Sequence, residues 1–294
     1  TETSIKAARK FFYEKGLKKK NRIITFEGAF HGRTIASLFA ANNPLHIKGF
    51  QPIVDGFDQV PFGDHSALEN AINEKTAAIM VETILGEGGI RVIPTECLQG
   101  LRKLCDEKKI LLILDEVQCG LGRTGKLFAY EWAKIKPDIV PIAKGIGGGF
   151  PIGACLMNKK VAEAMKPGSH GSTFGGNPLG MAVASSVLDY ILNEEFLASV
   201  TSVGKYLKDQ FSENILKKFP KLVKGIRGKG LMLGIEAIEK NEILIKEMIK
   251  QKILVVKAGQ NVIRMLPPLI LEKKHVDEAI KKIDKAFEKV NEEN

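Results

Sequence analysis

The run Ile110-Leu111-Leu112-Ile113-Leu114, closing on Asp115, constrains this chain most, because five successive apolar side chains leave no polar face. A strand points its side chains alternately to two faces, so such a run must be covered on both. Thr76 to Glu82 (TAAIMVE), Asp138 to Ile142 and Ile152 to Met157 read the same way, and Arg22 to Phe26 is a shorter β-rich run. Between them lie segments with helical apolar spacing: Glu2 to Lys15, stopped at Gly16, then His65 to Asn73, then Pro94 to Lys109. Buried strands alternating with helices predict an α/β fold, a mostly parallel sheet with helices on both faces.

Downstream, the spacing predicts one long helix from Asn177 to Ser199. Beyond it lysine rises, and helices alternate with shorter strands at Leu231 to Ile235, Ile253 to Val256 and Val262 to Leu266. The chain closes on an amphipathic helix, His275 to Lys289. This predicts a large domain over 1–190 and a smaller C-terminal α+β domain over 191–294. The first residues, Thr1-Glu2-Thr3, run into helix interior by Ile5, and we expect a preceding segment to belong to the large domain.

A net charge of +10 comes from lysines scattered over helices, with no basic stripe interleaved with aromatics, which argues against nucleic acid. No apolar run approaches the ~18 residues that span a bilayer. Cys97, Cys105, Cys119 and Cys155 form no CxxC pair and have no histidine at metal-ligand spacing. That usage predicts a reducing cytoplasm and no structural metal.

Ligands of open α/β sheets bind beyond the carboxyl ends of the strands, so the residues after each strand carry the functional reading. TAAIMVE leads into Thr83-Ile84-Leu85-Gly86-Glu87. ILLIL leads into Asp115-Glu116-Val117-Gln118, and DIVPI into Ala143-Lys144-Gly145. A lysine in such a place is ordinarily an exposed loop lysine, and an aspartate a helix N-cap. Against that, the neighbouring glycines admit close approach of a ligand, and desolvation favours a lysine that forms a Schiff base with a carbonyl. A carboxylate at a buried strand end needs a partner, and a protonated pyridine nitrogen is a good one. Gly120-Leu121-Gly122-Arg123-Thr124-Gly125 matches GxGxxG, and with Lys126 it also matches GxxxxGK. Leu127 stands where a phosphate loop needs Ser or Thr, and DEVQC separates the strand from the glycines, so neither nucleotide motif is met.

The stretches LLILDEVQCGLGRTGKLFAYE, IAKGIGGGFPIGA and HGSTFGGNPLG, supported by FEGAFHGRTIAS, ILGEGGI and NVIRMLPPL, strongly resemble the class III aminotransferases of fold type I. The resemblance covers essentially the whole chain. It implies a seven-stranded-type sheet, pyridoxal 5′-phosphate as cofactor and a homodimer whose sites are shared between subunits. Lys144 would bind the cofactor aldehyde and move the substrate proton. Asp115 would pair with the ring nitrogen, with Glu116 and Val117 beside it, and Gln118 would reach the ring's phenolic oxygen. Phe30 would stack on the ring. Thr173 and Ser172 would come from the partner subunit, Thr173 to the phosphate and Ser172 to the substrate. Arg33 and Arg264 would clamp carboxylates, with Glu87 as the switch partner of Arg264, and Glu82 would lie nearby. The family's Ser-Gly-Thr/Ala phosphate loop precedes the point at which Thr1 aligns.

Within the family the motifs GGGFPIGA and GRTGKLFAYE resemble the acetylornithine branch. They imply transfer of the δ-amino group of N-acetylornithine to 2-oxoglutarate, in arginine biosynthesis. Relatives acting on succinyl-diaminopimelate, succinylornithine, ornithine or 4-aminobutyrate share most of these motifs. The other readings weighed are an NAD-dependent oxidoreductase, built on GxGxxG, and a non-catalytic truncated paralogue.

Overall fold

The computed structural model describes residues 1–293. In chain order the elements of the first half are α1 (Glu2–Glu14), β1 (Arg22–Phe26), α2 (Ile35–Ala41), α3 (Pro44–Ile47), β2 (Phe57–Val60), α4 (His65–Ala71) and β3 (Thr76–Glu82). A small hairpin, β4 (Ile84–Leu85) and β5 (Arg91–Val92), is followed by α5 (Thr95–Glu107), β6 (Leu111–Asp115), β7 (Ile139–Ile142), β8 (Ala154–Met157) and α6 (Lys159–Ala162). The remainder comprises α7 (Pro178–Ile191), α8 (Glu194–Phe211), β9 (Val223–Lys229), β10 (Met232–Ala237), α9 (Asn241–Lys250), β11 (Val256–Ala258), β12 (Val262–Met265) and α10 (Lys273–Glu293).

The chain forms two compact units, and neither is continuous in sequence. The first takes Thr1–Thr83, Ile93–Gln118 and Tyr130–Asp189; the second takes Ile84–Val92, Cys119–Ala129 and Tyr190–Asn294.

The first unit is built on a sheet of order β2-β1-β3-β6-β7-β8. Its strands run parallel except β8, which is antiparallel to β7. Among the described residues it has six strands, where the family resemblance implied seven. Every position of β3 and β6 is buried, as their unbroken apolar runs require. Ile5, Ala8, Phe11 and Phe12 of α1 pack in one cluster with Ile23, Ala78, Met80, Leu111, Ile113 and Ile139. Glu2 fixes the start of this helix: its Oε1 accepts the N–H groups of Ala36 and Ser37 and so caps the first turn of α2.

The second unit holds a separate antiparallel sheet, β11-β12-β10-β9. Its core joins Val203, Leu207 and Phe211 of α8 to Leu233 and Ile235 of β10, Leu244 and Met248 of α9, and Ile283 and Phe287 of α10. The single helix expected over Asn177 to Ser199 is two. Asn193 interrupts it: its side chain accepts from the N–H groups of Glu195 and Phe196, and Glu194 and Glu195 complement the new helix terminus. The glycine-rich segment after β6 belongs to this unit. Gly125 sits at φ +89°, and a Cβ there would meet Thr201. Arg123 donates to the carbonyl oxygens of Leu231 and Pro267, and burial pushes its guanidinium down to about 10. Tight packing in the second unit, not phosphate binding, accounts for these glycines. Among the described residues no helix is long and apolar enough to cross a membrane.

Candidate active site

The carboxyl ends of β3 and β6 are in register, which sets Glu82 beside Asp115. Both side chains are buried, and both hold the segment that follows β1. Glu82 Oε1 accepts the Phe30 N–H at 2.9 Å. Asp115 Oδ2 lies 2.8 Å from His31 Nδ1, and Asp115 Oδ1 accepts the Val117 N–H at 3.0 Å. Two neighbouring strands thus place a phenyl ring and an imidazole over the end of the sheet. Gly32, at φ +128°, turns the chain immediately afterwards; a Cβ there would stand 2.8 Å from Ser37 Oγ.

Lys144 follows β7, the next strand, and opens a short 3₁₀ turn over Lys144–Gly147. Its φ is +49°, the left-handed region that a side-chain-bearing residue rarely adopts. Lys144 is exposed to the same cavity that Asp115 borders. That cavity, about 920 Å³, is lined by Phe30, Glu82, Asp115, Val117, Gln118 and Lys144, among other residues of the first unit. Its size falls within the range typical of small-molecule sites. Cys155 contributes a neutral wall, since burial pushes its thiol up to about 11. On another wall Lys6 Nζ donates to His170 Nδ1 at 2.9 Å, which leaves the His170 Nε2–H to meet Thr3 Oγ1 at 3.0 Å.

The other expected site residues are placed as follows. Glu116 is turned into the interior, where its Oε1 accepts from the Thr83 hydroxyl at 2.6 Å and from the Tyr130 N–H at 3.1 Å. Arg33 is exposed, stacks its guanidinium over the Phe30 ring at 5.5 Å and approaches His46 at 3.3 Å. Ser172 borders the cavity of its own chain, and Thr173 beside it is exposed. In the second unit Arg264 and Glu87 form an ion pair, Nη1 to Oε1, at 2.6 Å. The hairpin carrying Glu87 is held there by Gly259 N–H to the Glu87 carbonyl and by Arg227 to the Gly89 carbonyl. Sequence reasoning gave His31 no role. It is separated from Asp115 by 84 residues, and a lone histidine after a loop phenylalanine carries no signal of its own.

A buried carboxylate, a backbone-strained lysine and an aromatic ring around one cavity is a constellation that a family comparison can test. The family model for class III aminotransferases matches residues 1–287. The chain belongs to the class III aminotransferases. It is 50% identical over 290 residues to the acetylornithine aminotransferase of Brucella melitensis, covering 99% of this chain and 72% of that protein. The N-acetylornithine aminotransferase structure from Stenotrophomonas maltophilia superposes with a TM-score of 0.83 at 35% identity, over 100% of this chain and 73% of that one. The ornithine aminotransferase of Toxoplasma gondii, crystallised in the presence of oxidised glutathione with pyridoxal phosphate partly occupying its active site, gives a TM-score of 0.93 at 33% identity. That match covers 99% of this chain and 71% of that one.

Class III aminotransferases use pyridoxal 5′-phosphate. The donor set of the first unit suits that group: an amine for an aldehyde, an anion for a ring nitrogen and an aromatic face for a ring, around a cavity wide enough to hold it.

Proposed function

We propose that the chain binds pyridoxal 5′-phosphate in the cavity of the first unit and transfers the δ-amino group of N-acetylornithine to 2-oxoglutarate. The products are N-acetylglutamate semialdehyde and glutamate, a step of arginine biosynthesis. The observation that carries this reading is Lys144 and Asp115 on one cavity at neighbouring strand ends, in a chain half identical to an acetylornithine aminotransferase.

When bound, the cofactor supplies an electron sink for the bond that loses its proton. The chain's own residues do the rest. Asp115, buried at the end of β6, would hold the ring nitrogen. Lys144 Nζ would hold the cofactor through its aldehyde and, once released, would take and return the proton on the amine-bearing carbon. Phe30 covers a ring face, and its N–H anchor on Glu82 keeps it there. Val117 and Gln118 follow Asp115 on the same wall, where Gln118 would reach the phenolic oxygen. Glu116 supports this wall from behind through Thr83 and Tyr130.

We assign Arg33 to the donor's carboxylate and Arg264 to that of 2-oxoglutarate, with Glu87 covering Arg264 when the amino donor is present. A planar guanidinium suits this bidentate task. Ser172 and Thr173 serve the substrate and the phosphate of the other subunit in a homodimer. The four unpaired cysteines suit a cytoplasmic site.

Borohydride reduction of the cofactor-loaded protein, followed by peptide mapping, tests the core of this reading. A pyridoxyl adduct on Lys144, lost in Lys144→Ala, is expected; an unlabelled Lys144 rejects it. Half-reaction kinetics across a panel of donors test the substrate. N-acetylornithine is expected to exceed ornithine and 4-aminobutyrate at least ~10-fold in specificity constant, the order of discrimination one lost contact provides. Equal or faster reaction with ornithine would reassign the donor and leave transamination standing.

A further inference from the structure

Asp115 is held through both of its oxygens, and one of the groups that hold it is a side chain. The Val117 N–H meets Oδ1 at 3.0 Å, and His31 Nδ1 meets Oδ2 at 2.8 Å. The His31 side chain is 0% exposed and that of Asp115 is 3% exposed. The imidazole does not settle there by chance. Its backbone neighbour Phe30 is tied to Glu82, the carboxylate in register with Asp115, and Gly32 turns the chain just beyond it.

His31 Nε2 is buried and has no hydrogen-bond partner among the described residues. The proton between His31 and Asp115 must therefore sit on Nδ1, because a carboxylate accepts. The geometry thus places an Nδ1–H against Oδ2.

We propose that His31 is the positioning residue for Asp115: by donating its Nδ1–H it sets the carboxylate's rotation and holds it at the border of the cavity. This rests on the proposed use of pyridoxal phosphate, whose ring nitrogen is the group Asp115 would face. A histidine that merely filled space would be replaceable by leucine at a cost in stability alone. A positioning histidine leaves its mark on what Asp115 does.

Two substitutions separate these roles. His31→Leu removes the donor while keeping an apolar side chain. His31→Asn returns an amide N–H close to the place of Nδ1. In the cofactor-loaded protein His31→Leu is expected to lower kcat about 100-fold, the effect of misplacing a catalytic group by roughly an ångström. KM for the amino donor should change less than about twofold, since His31 touches no substrate. The visible absorbance band of the bound cofactor should shift, and His31→Asn should restore both band and kcat to within about tenfold. In the cofactor-free protein, ¹⁵N resonances of His31 should report the Nδ1–H tautomer, and Asp115→Asn should abolish that preference.

If wild type is labelled at Lys144 but His31→Leu keeps its kcat and absorbance, the positioning role is wrong and transamination stands. An Nε2–H tautomer in the cofactor-free protein overturns it equally. If wild type is not labelled at all, the transamination reading falls, and with it the purpose assigned to His31.

Discussion

Two buried aspartates sit at opposite ends of neighbouring strands and have opposite surroundings. Asp138 precedes β7 at the amino edge of the sheet, and Asp115 closes β6 at the carboxyl edge. Both are about equally hidden from solvent, at 3% exposure. Asp138 is met by two cations, Arg102 at 2.9 Å and Lys160 at 3.0 Å, and accepts from the Leu112 N–H and from Asn158. Asp115 is met by an imidazole and an amide, and it borders a cavity. One carboxylate ties a strand to α5 and to the start of α6; the other is held at the border of a cavity. Burial alone does not mark a functional acid: the kind of partner and the space beside it do.

The comparison breaks if the two can be exchanged. Asp115→Asn should lower turnover on the order of 10³-fold, comparable to removing one preorganised electrostatic contact, with little change in thermal stability. Steady-state kinetics beside a melting curve would show it. Asp138→Asn should do the reverse, costing about 3 kcal/mol because Arg102 loses its buried carboxylate and keeps only the exposed Asp106, while the folded fraction keeps its kcat. Denaturant unfolding measures this; a stable Asp138→Asn protein with lost activity would erase the distinction.

Asp138 also sharpens the contrast through pH. Burial would raise its carboxyl, but the Leu112 N–H, Arg102 and Lys160 outweigh burial and hold it below the usual carboxylate range. A depressed folded-state value means the folded protein binds its proton less readily than the unfolded chain. The stability Asp138 contributes is therefore complete above about pH 4 and is lost as pH falls through the folded value. Acid unfolding followed by circular dichroism should be less steep in Asp138→Asn than in wild type.

The smallest expected effect concerns Lys144 itself. Its left-handed backbone costs a residue with a Cβ roughly 1 kcal/mol, so Lys144→Gly should be inactive yet more stable than Lys144→Ala by about that amount. Equal melting temperatures for the two variants would mean the φ of +49° carries no strain.

The same two edges show what the sequence made legible. β3, β6 and β7 were readable because strands buried on both faces are apolar at successive positions, and their polar successors Glu82, Asp115 and Lys144 then stand out. β2 was not readable: Phe57–Val60 (FDQV) lies at the sheet edge, only Val60 is fully buried, and two of its four residues are polar. β9 hid behind its glycines and lysines, because pairing with β10, not its own hydrophobicity, makes Val223–Lys229 a strand. The third C-terminal strand was expected over Ile253 to Val256 and lies at Val256–Ala258, where its partners on β12 set the register. In the site, Asp115 and Lys144 could be found from position alone. His31 could not, since its importance arises from a contact that only the folded sheet creates. Glu116 shows the converse: a motif position just past the end of β6 turns its carboxylate to Thr83 and Tyr130.

The division of the chain into interleaved units has a consequence for how the protein is made. Ile84, Ile90, Cys119 and Ala129 share a buried cluster with Met232 and Val262. More than a hundred residues separate Ala129 from Met232, so the early members of this cluster leave the ribosome long before the strands that will shelter them. At ordinary synthesis rates of about 5–20 residues per second, those apolar side chains wait several seconds without their partners. Closing so distant a contact carries its entropy cost before any packing rewards it, so this cluster forms only after β10 and β12 are made. During that interval those side chains are exposed apolar surface, the kind through which nascent chains aggregate.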